Sequence, residues 1–236
     1  MTDSGRTIRA RRRSEWFFGR RKAKALSPTQ QNRFELLMPL IGINTSTKAP
    51  ANISDLFKHT PDQVILEIGF GGGEHLVHQA STFARNAYLG VEPFVNSMAK
   101  ALQKIDSTSL TNVRLYEKDA SELLDWLPNA SLDRIDLLYP DPWPKQKHWK
   151  RRFVSPQNLD RFARVIRPGG HFHFASDIES YVNWTLQKFH HHEHFHWLAD
   201  SSDGWEQPFS NWIRTRYEAK ALREGRTPCY LSFRRN

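Results

Sequence analysis

The sequence predicts an α/β fold: a mostly parallel sheet with helices on both faces and an antiparallel last strand. Two observations favour this class. Apolar runs alternate with amphipathic stretches from Val64 onward, and a glycine-rich turn follows the first apolar run. In such folds each helix returns the chain to the same edge of the sheet. Side chains that follow the strands therefore converge on one edge, where ligands bind.

Each predicted strand is a short apolar run bounded by polar or turn residues. Five runs fit parallel strands and a sixth fits the antiparallel one: residues 64–68, 87–91, 113–116, 135–139, 171–175 and 229–233. Helical periodicity occurs between them, at residues 74–84, 94–105, 121–126, 156–165 and 178–189. This order places the residues that follow the first four strands along a single edge.

Residues 1–60 are predicted to form a basic N-terminal extension, and residues 61–236 to form the α/β domain. Within the extension, residues 30–37 are predicted to be helical and to stop before Pro39. No run of about 18 apolar residues and no secretory leader is found, so a cytoplasmic protein without membrane insertion is expected. Cys229 is the single cysteine, so packing rather than a disulfide must hold the fold.

The net charge of +9 is concentrated in two segments. Residues 1–24 hold nine Arg and Lys against two acidic residues, and residues 145–152 hold five cations and no acid. Clustered cations indicate a polyanion such as RNA, because phosphates are neutralised where the backbone passes. For residues 1–24 alone, a solvated basic tail or an arginine-rich transit peptide remains an alternative.

The turn after the first strand reads LEIGFGGGE, residues 66–74. Its glycines let the backbone turn sharply and approach a nucleotide-like ligand. The dinucleotide fingerprint Gly-x-Gly-x-x-Gly would need glycine in place of Glu74, and Glu67 with Glu74 would repel a pyrophosphate. S-adenosylmethionine, a cation without phosphates, is therefore the predicted cofactor, bound at Gly69 and Gly71. A nicotinamide cofactor is a distant alternative.

Acidic residues follow the next two predicted strands. Glu92 ends the second strand, where its carboxylate can accept both ribose hydroxyls. Asp119 follows the third strand and is placed to bond the adenine amino group. Each alone is typical of a surface carboxylate. Together, in order after successive strands, they indicate one cofactor site.

The segment after the fourth strand reads YPDPWPKQKHWKRRF, residues 139–153. Three prolines in five residues fix φ and exclude a helix, so the loop holds Asp141 and Trp143 stiffly. Trp143 offers a face for a purine, and Asp141 can accept hydrogen bonds from the donor edge of guanine. The cations that follow can hold phosphates. A proline-rich turn with an incidental basic flank is the alternative.

Residues 140–152 resemble the characteristic motif of the bacterial tRNA (guanine-N7-)-methyltransferases. Further similar segments are LEIGFG at 66–71, Glu92, Asp119, ASD at 175–177 and TRYEAK at 215–220. The resemblance covers roughly residues 20–235. It implies a Rossmann-like class I fold that uses S-adenosylmethionine, a tRNA partner, and methylation at N7 of guanosine 46 in the variable loop. Gly72, Glu74 and His75 stand where many relatives carry other residues.

The resemblance also implies roles for individual residues. Asp141 is implied to be catalytic. Cofactor contacts are implied for Glu67, Glu92, Asp119 and Asp141. Substrate contacts are implied for Lys145, Asp177, Thr215, Arg216, Tyr217 and Glu218. RNA contacts are implied for Lys147, His148, Trp149, Lys150, Arg151 and Arg152.

The chemistry of guanine N7 limits what such a site must supply. N7 carries a lone pair and no proton at neutral pH, so methyl transfer from a sulfonium depends on orientation rather than on a strong base. Asp141 is predicted to orient the base and to stabilise the positive charge that develops on the purine. Asp177 or Glu218 is a candidate for a second contact with the guanine donors.

The residues alone leave two other classes of protein as alternatives. An enzyme that methylates exocyclic amines would usually show Pro-Pro-Tyr or Pro-Pro-Phe after the fourth strand, unlike the Asp-Pro-Trp-Pro found here. A catalytically silent RNA-binding module would not need the carboxylates of the predicted cofactor site, and all four of them are present here. The five histidines of residues 190–196 invite a metal, but a polar helix end and surface loop is favoured, and no metal is expected. A monomer or weak homodimer is expected.

Overall fold

The protein is described here by a computed structural model that covers residue 19 and residues 21–236. Predictions for residues 1–18 and for Arg20 lie outside the described residues. The strands of the described part are Val64–Ile68 (β1), Ala87–Val91 (β2), Val113–Tyr116 (β3), Leu132–Leu138 (β4), Ile166–Ser176 (β5), Phe195–Trp197 (β6) and Cys229–Arg235 (β7). They form a sheet in the order β3-β2-β1-β4-β5-β7-β6.

The pairing of the strands confirms the predicted fold class. Strands β1 to β5 pair in parallel, and β7 pairs antiparallel with β5 and β6. The first three strands have the predicted bounds. Strand β4 begins three residues earlier than predicted, because Leu132 pairs with Ile166 of β5. Strand β5 itself begins five residues earlier than predicted, at Ile166. The three residues of β6 were not predicted.

Helices cover both faces of the sheet. Within the described residues they are Pro28–Ile41 (α1), Glu74–Thr82 (α2), Val95–Thr108 (α3), Ala120–Trp126 (α4), Pro156–Val165 (α5), Glu179–His190 (α6), Asp203–Glu206 (α7) and Arg216–Arg223 (α8). Two 3-10 helices, Ile53–Leu56 and Gln146–Arg151, lie in the connections. Side-chain oxygens of Ser27, Ser155 and Thr215 accept backbone N–H groups at the starts of α1, α5 and α8, which is why these helices begin there.

Helix α1 does not end before Pro39 as predicted, but continues through it to Ile41. Pro39 lies in the last turn, so the missing N–H costs one hydrogen bond near an end that already has unpaired groups. Phe34 and Met38 pack against the core and hold this turn in place. The segment before residue 61 thus packs on the domain, and Ile53 lies within the main apolar core.

The core lies on both sides of the central strand. All five residues of β1 are buried. Leu66 and Ile68 belong to one apolar cluster, and Ile65 belongs to the cluster on the other side. Because β1 is fixed from both faces, the turn that follows it has a defined position at the carboxyl edge.

Candidate active site

A cavity of about 680 Å³ opens at the carboxyl edge of the sheet. Its lining includes Gly69 after β1, Glu92 after β2, Asp119 after β3 and Asp141 after β4. The structure therefore brings together four residues that the sequence predicted to share one site. A volume of this size lies within the range of small-molecule and cofactor sites.

The glycine turn passes close to the start of α8. Gly69, Gly71 and Gly73 have φ of 73°, 57° and 75°, in the left-handed region that favours glycine. A Cβ on Gly71 would lie 3.1 Å from Nη2 of Arg216. A Cβ on Gly73 would lie 2.8 Å from the Cβ of Ala101. The turn therefore needs glycine for both its conformation and its packing.

Glu92 is buried and ties the glycine turn to the end of β2. Its Oε2 accepts the Gly71 N–H at 2.8 Å, and its Oε1 accepts the Phe94 N–H at 2.9 Å. Burial raises the pKa of Glu92, although these two hydrogen bonds favour the ionised form. A carboxylate oxygen has two acceptor positions, so each oxygen can accept a further hydrogen bond in the cavity.

Asp119 has a structural use in addition to its place in the cavity wall. It is the N-cap of α4, and its Oδ1 accepts the Ser121 N–H at 2.8 Å. Capping fixes the carboxylate at the end of β3 and leaves further acceptor capacity for a ligand donor. The position agrees with the predicted role of Asp119.

Glu67 lies beneath the glycine turn rather than in the lining of this cavity. It is 4 % exposed, and its Oε2 is 2.9 Å from Nδ1 of His75. Burial opposes a charged imidazole, but the Glu67 carboxylate raises the pKa of His75. Glu67 therefore contacts the helix that follows the turn, and its direct contact with the cofactor stays a prediction.

Asp141 stands between two strained residues. Tyr139 has φ of 51° and Trp143 has φ of 44°, values that are uncommon for bulky side chains and cluster at functional sites. Asp141 is accessible from the cavity, and desolvation by the surrounding protein raises its pKa. Its carboxylate therefore faces the space where a ligand would lie.

The basic segment places aromatic and cationic groups side by side. The Arg151 guanidinium lies 4.9 Å from the ring centre of Trp143, so one predicted stacking face of this tryptophan already has a neighbour. His148 approaches Trp143 edge-on at 6.0 Å, and desolvation together with nearby cations lowers the pKa of His148. Lys145, Lys147 and Lys150 are exposed, as the prediction of substrate and RNA contacts requires.

Arg152 differs from the rest of the basic segment. It is 2 % exposed, and its guanidinium donates to the Pro142 carbonyl and to Ser180. The predicted RNA contact of Arg152 does not fit this position, because its N–H groups point into the protein. Trp149, also predicted to contact RNA, packs against Arg152.

The predicted substrate residues of α8 fall into two groups. Tyr217 lines the cavity, and Arg216 lies over its ring at 4.8 Å. Thr215 is buried and caps the helix. Glu218 is buried and accepts hydrogen bonds from Trp212 Nε1 at 2.6 Å and Tyr230 OH at 2.9 Å. Arg216 and Tyr217 can meet a ligand, whereas Thr215 and Glu218 shape the helix that carries them.

Asp177 lies outside the cavity that Asp141 lines. It lines a second cavity of about 740 Å³, and its Oδ2 accepts from Arg226 Nε at 2.5 Å. The structure therefore does not bring Asp177 together with Asp141 in one lining.

Sequence reasoning missed the part played by the residues before α1. Gly19 and Ala23 line the main cavity. The Val95 N–H donates to the Arg21 carbonyl at 3.0 Å, and the Ala23 N–H donates to Asn96 Oδ1 at 3.0 Å. The basic composition of this segment indicated contacts with RNA and gave no sign that the segment packs on the domain. The one hint in the sequence was Asn96, a polar residue in the first turn of a helix, which binds the backbone of residues 23 and 24.

The histidine-rich segment of residues 190–196 forms ordinary hydrogen bonds in the described part of the chain. Among these residues, no three His, Cys, Asp or Glu side chains are arranged to hold a metal ion. His192 is instead 3.2 Å from Asp160, and His196 is 2.7 Å from Asn236. None of the described helices combines the length and apolar character needed to cross a bilayer.

The sheet order, the glycine turn and the carboxylates at successive strand ends define an α/β methyltransferase. A family model described as "Putative methyltransferase" matches residues 61–231. The solved structure of the 16S rRNA methyltransferase KamB is similar in fold, with a TM-score of 0.53 and 16 % identity over 80 % of this chain and 95 % of that one.

Sequence relatives define the family more closely. The tRNA (guanine-N(7)-)-methyltransferase of Rhizobium meliloti (strain 1021) is 56 % identical over 96 % of this chain and 98 % of the relative. That of Agrobacterium fabrum (strain C58) is 56 % identical over 99 % of both chains. The chain belongs to the tRNA (guanine-N7-)-methyltransferase family, as the motif resemblance predicted.

Proposed function

We propose that the protein transfers a methyl group from S-adenosylmethionine to N7 of guanosine 46 in the variable loop of tRNA. The observation that carries the proposal is the convergence of Gly69, Glu92, Asp119 and Asp141 in one cavity with an exposed basic segment beside it. The names of the relatives support tRNA as substrate and guanine N7 as target. The position in tRNA rests on the motif resemblance.

The residues of the cavity fit the chemistry of the cofactor. Glu92 can accept the ribose hydroxyls, and Asp119 can accept from the adenine amino group. Three carboxylates around one cavity favour a ligand with cationic groups and would repel a pyrophosphate. When bound, S-adenosylmethionine supplies an electrophilic methyl group, so the protein must hold and orient the two reactants.

The chain's own residues would act on the guanine. Asp141 accepts hydrogen bonds from the N1 and N2 donors and stabilises the positive charge that develops on the purine. Tyr217 and Trp143 restrict the position of the base. Lys147 and Lys150 hold phosphates on either side. Orientation is the main contribution, because N7 needs no deprotonation.

The test of this proposal is site-specific mapping of the product. Transfer RNA treated with the protein and S-adenosylmethionine should show cleavage at guanosine 46 after borohydride and aniline. Asp141→Ala should abolish single-turnover methylation yet leave the melting curve almost unchanged, because the residue fills no core space. Asp55→Ala, at an exposed residue of the 3-10 helix Ile53–Leu56 that does not line the cavity, is the matched control.

Different outcomes would reject different parts of the proposal. Near-normal turnover of Asp141→Ala would remove the catalytic role of Asp141. A labelled methyl group that never reaches tRNA would indicate a silent RNA-binding module. Product at another guanosine would retain the chemistry and correct only the target position.

The pH dependence of turnover is a further expectation. The carboxylate of Asp141 is active only when ionised, and its pKa lies above the ordinary value because of desolvation. The ratio kcat/KM, which reports the free enzyme, should therefore fall on the acidic side, at a pH higher than an ordinary aspartate would give. A pH profile of kcat/KM measures this, and a ratio that stays level down to about pH 4, where ordinary aspartates protonate, would contradict it.

A further inference from the structure

The buried Arg152 forms a junction between the loop that carries Asp141 and helix α6. Its Nε donates to the Pro142 carbonyl at 3.0 Å. Its Nη1 donates to the Ser180 carbonyl at 2.7 Å, and its Nη2 donates to Ser180 Oγ at 2.8 Å. One side chain thus connects the residue next to Asp141 with the first turn of α6.

Aromatic rings surround the same guanidinium. Its Cζ lies 4.5 Å from the ring centre of Trp149, 4.7 Å from Tyr181 and 5.7 Å from Trp184. No carboxylate forms an ion pair with Arg152 among the described residues, and desolvation lowers its pKa. Aromatic faces and carbonyl oxygens compensate the charge, an environment that suits the planar, weakly hydrated guanidinium and not an ammonium.

The location of this junction matters because the loop is strained where Arg152 holds it. Pro142 lies between Asp141 and Trp143, and Trp143 and Tyr139 have positive φ. Such conformations persist only where surrounding contacts impose them. The hydrogen bond to the Pro142 carbonyl is a contact of this kind, and it holds the peptide between Pro142 and Trp143, one residue after Asp141.

We propose that Arg152 is a positioning residue that fixes the Asp141 loop for methyl transfer, and not a contact for RNA. The proposal rests on the proposed function, since it concerns the same reaction. It separates Arg152 from the exposed cations of its own segment. The exposed cations contribute affinity for phosphates, whereas Arg152 keeps the Asp141 carboxylate in its position.

Arg152→Lys tests this, because lysine keeps the charge and loses the planar fork. At saturating tRNA and S-adenosylmethionine, the single-turnover rate of Arg152→Lys should fall about 10- to 100-fold, the loss expected for a small misplacement of a reacting group. The tRNA dissociation constant and its salt dependence should remain as in the wild type. Lys150→Ala should weaken tRNA binding and reduce its salt slope, two changes that Arg152→Lys should not show.

Several results would overturn the proposal. A wild-type rate for Arg152→Lys would do so, and so would a loss confined to tRNA affinity and salt slope. If Arg152→Lys does not fold, Ser180→Ala removes only the Nη2 acceptor and should lower the saturated rate about threefold or more without changing tRNA affinity. An unchanged rate in Ser180→Ala would then reject the positioning role. Wild-type protein that forms no N7-methylguanosine would instead reject the proposed function itself.

Discussion

Glu92 and Asp136 are both buried carboxylates whose partners favour the ionised form, yet the pKa of Glu92 is raised and that of Asp136 is lowered. Glu92 accepts hydrogen bonds from two backbone N–H groups, and desolvation prevails, so its pKa rises. Burial also opposes ionisation of Asp136, but the Arg134 guanidinium and His173 hold its pKa well below the ordinary value. Full charges of opposite sign outweigh desolvation where dipoles do not.

Glu92→Gln should weaken binding of S-adenosylhomocysteine by about 10- to 100-fold, the loss of charge-assisted hydrogen bonds. The amide would also direct a donor at one of the two backbone N–H groups that Glu92 now accepts, which disturbs the glycine turn. Isothermal titration calorimetry measures the affinity. Glu117→Gln, an exposed residue just after β3, is the control, and equal affinities in both variants would contradict the role of Glu92.

Asp136→Asn should lower the free energy of unfolding by about 3 kcal/mol near pH 7, since a buried ion pair loses one partner. The folded-state pKa of Asp136 is depressed, so its contribution is present above the unfolded pKa of about 4 and is lost as the pH falls further. Urea unfolding of wild type and variant across pH 3 to 7 should therefore show a difference in the free energy of unfolding that becomes smaller only at the acidic end. A difference that is constant over this range would contradict the depressed pKa of Asp136.

At the scale of elements, the 3-10 helix Gln146–Arg151 presents its cations unevenly. Lys147 and Lys150 are exposed, while Arg151 lies over Trp143. The residue after this helix, Arg152, is turned inward. A sequence run of cations therefore divides into exposed lysines and a buried arginine, which only the fold could show.

The double variant Lys147→Ala with Lys150→Ala should bind tRNA more weakly and with a flatter salt dependence. Each lost phosphate contact lowers the salt slope by about 0.7 to 0.9, so the expected change is near 1.5 for two contacts. Filter binding over a salt series measures it. Lys58→Ala removes an exposed charge on the segment before β1, away from the cavity, and should leave the slope unchanged. Equal slopes in all three proteins would show that the segment is only a solvated surface.

At the scale of the whole molecule, the cavity at the carboxyl edge of the sheet is lined in part by residues that precede the α/β domain, Gly19 and Ala23. Residues 21–24 are bound to the start of α3 through Val95 and Asn96. The basic composition of residues 1–24 predicts contacts with RNA. The position of Gly19 and Ala23 in the cavity lining adds a second expectation, that this segment also contributes to ligand binding in the cavity.

Deletion of residues 1–24 should therefore weaken the binding of both tRNA and S-adenosylhomocysteine. Asn96→Ala removes the hydrogen bonds to Ala23 and Lys24. It should lower the affinity for S-adenosylhomocysteine about three- to tenfold and have little effect on the salt dependence of tRNA binding. Calorimetry and filter binding on both proteins separate the two effects. Cofactor affinity that is unchanged in the deletion would show that the segment serves RNA alone.

The sequence predicted the sheet well because its strands are apolar runs between turn residues, as the matching bounds of β1, β2 and β3 show. It predicted which carboxylates follow the strands, since parallel strands share one carboxyl edge. It could not predict that Glu67 pairs with His75 or that Arg152 is buried, because these depend on tertiary neighbours. The three residues of β6 carry no strand pattern of their own and are fixed by β7.

The position of β7 has a consequence for how the chain is made. The residues of β6 leave the ribosome before those of β7, yet β7 lies between β5 and β6, so β6 has no neighbouring strand to join during that interval. Phe195, which packs against Phe189 of α6 and is buried in the finished protein, lacks its β7 neighbours during that interval. This edge of the sheet therefore becomes protected only when β7 has itself left the ribosome and pairs with both β5 and β6.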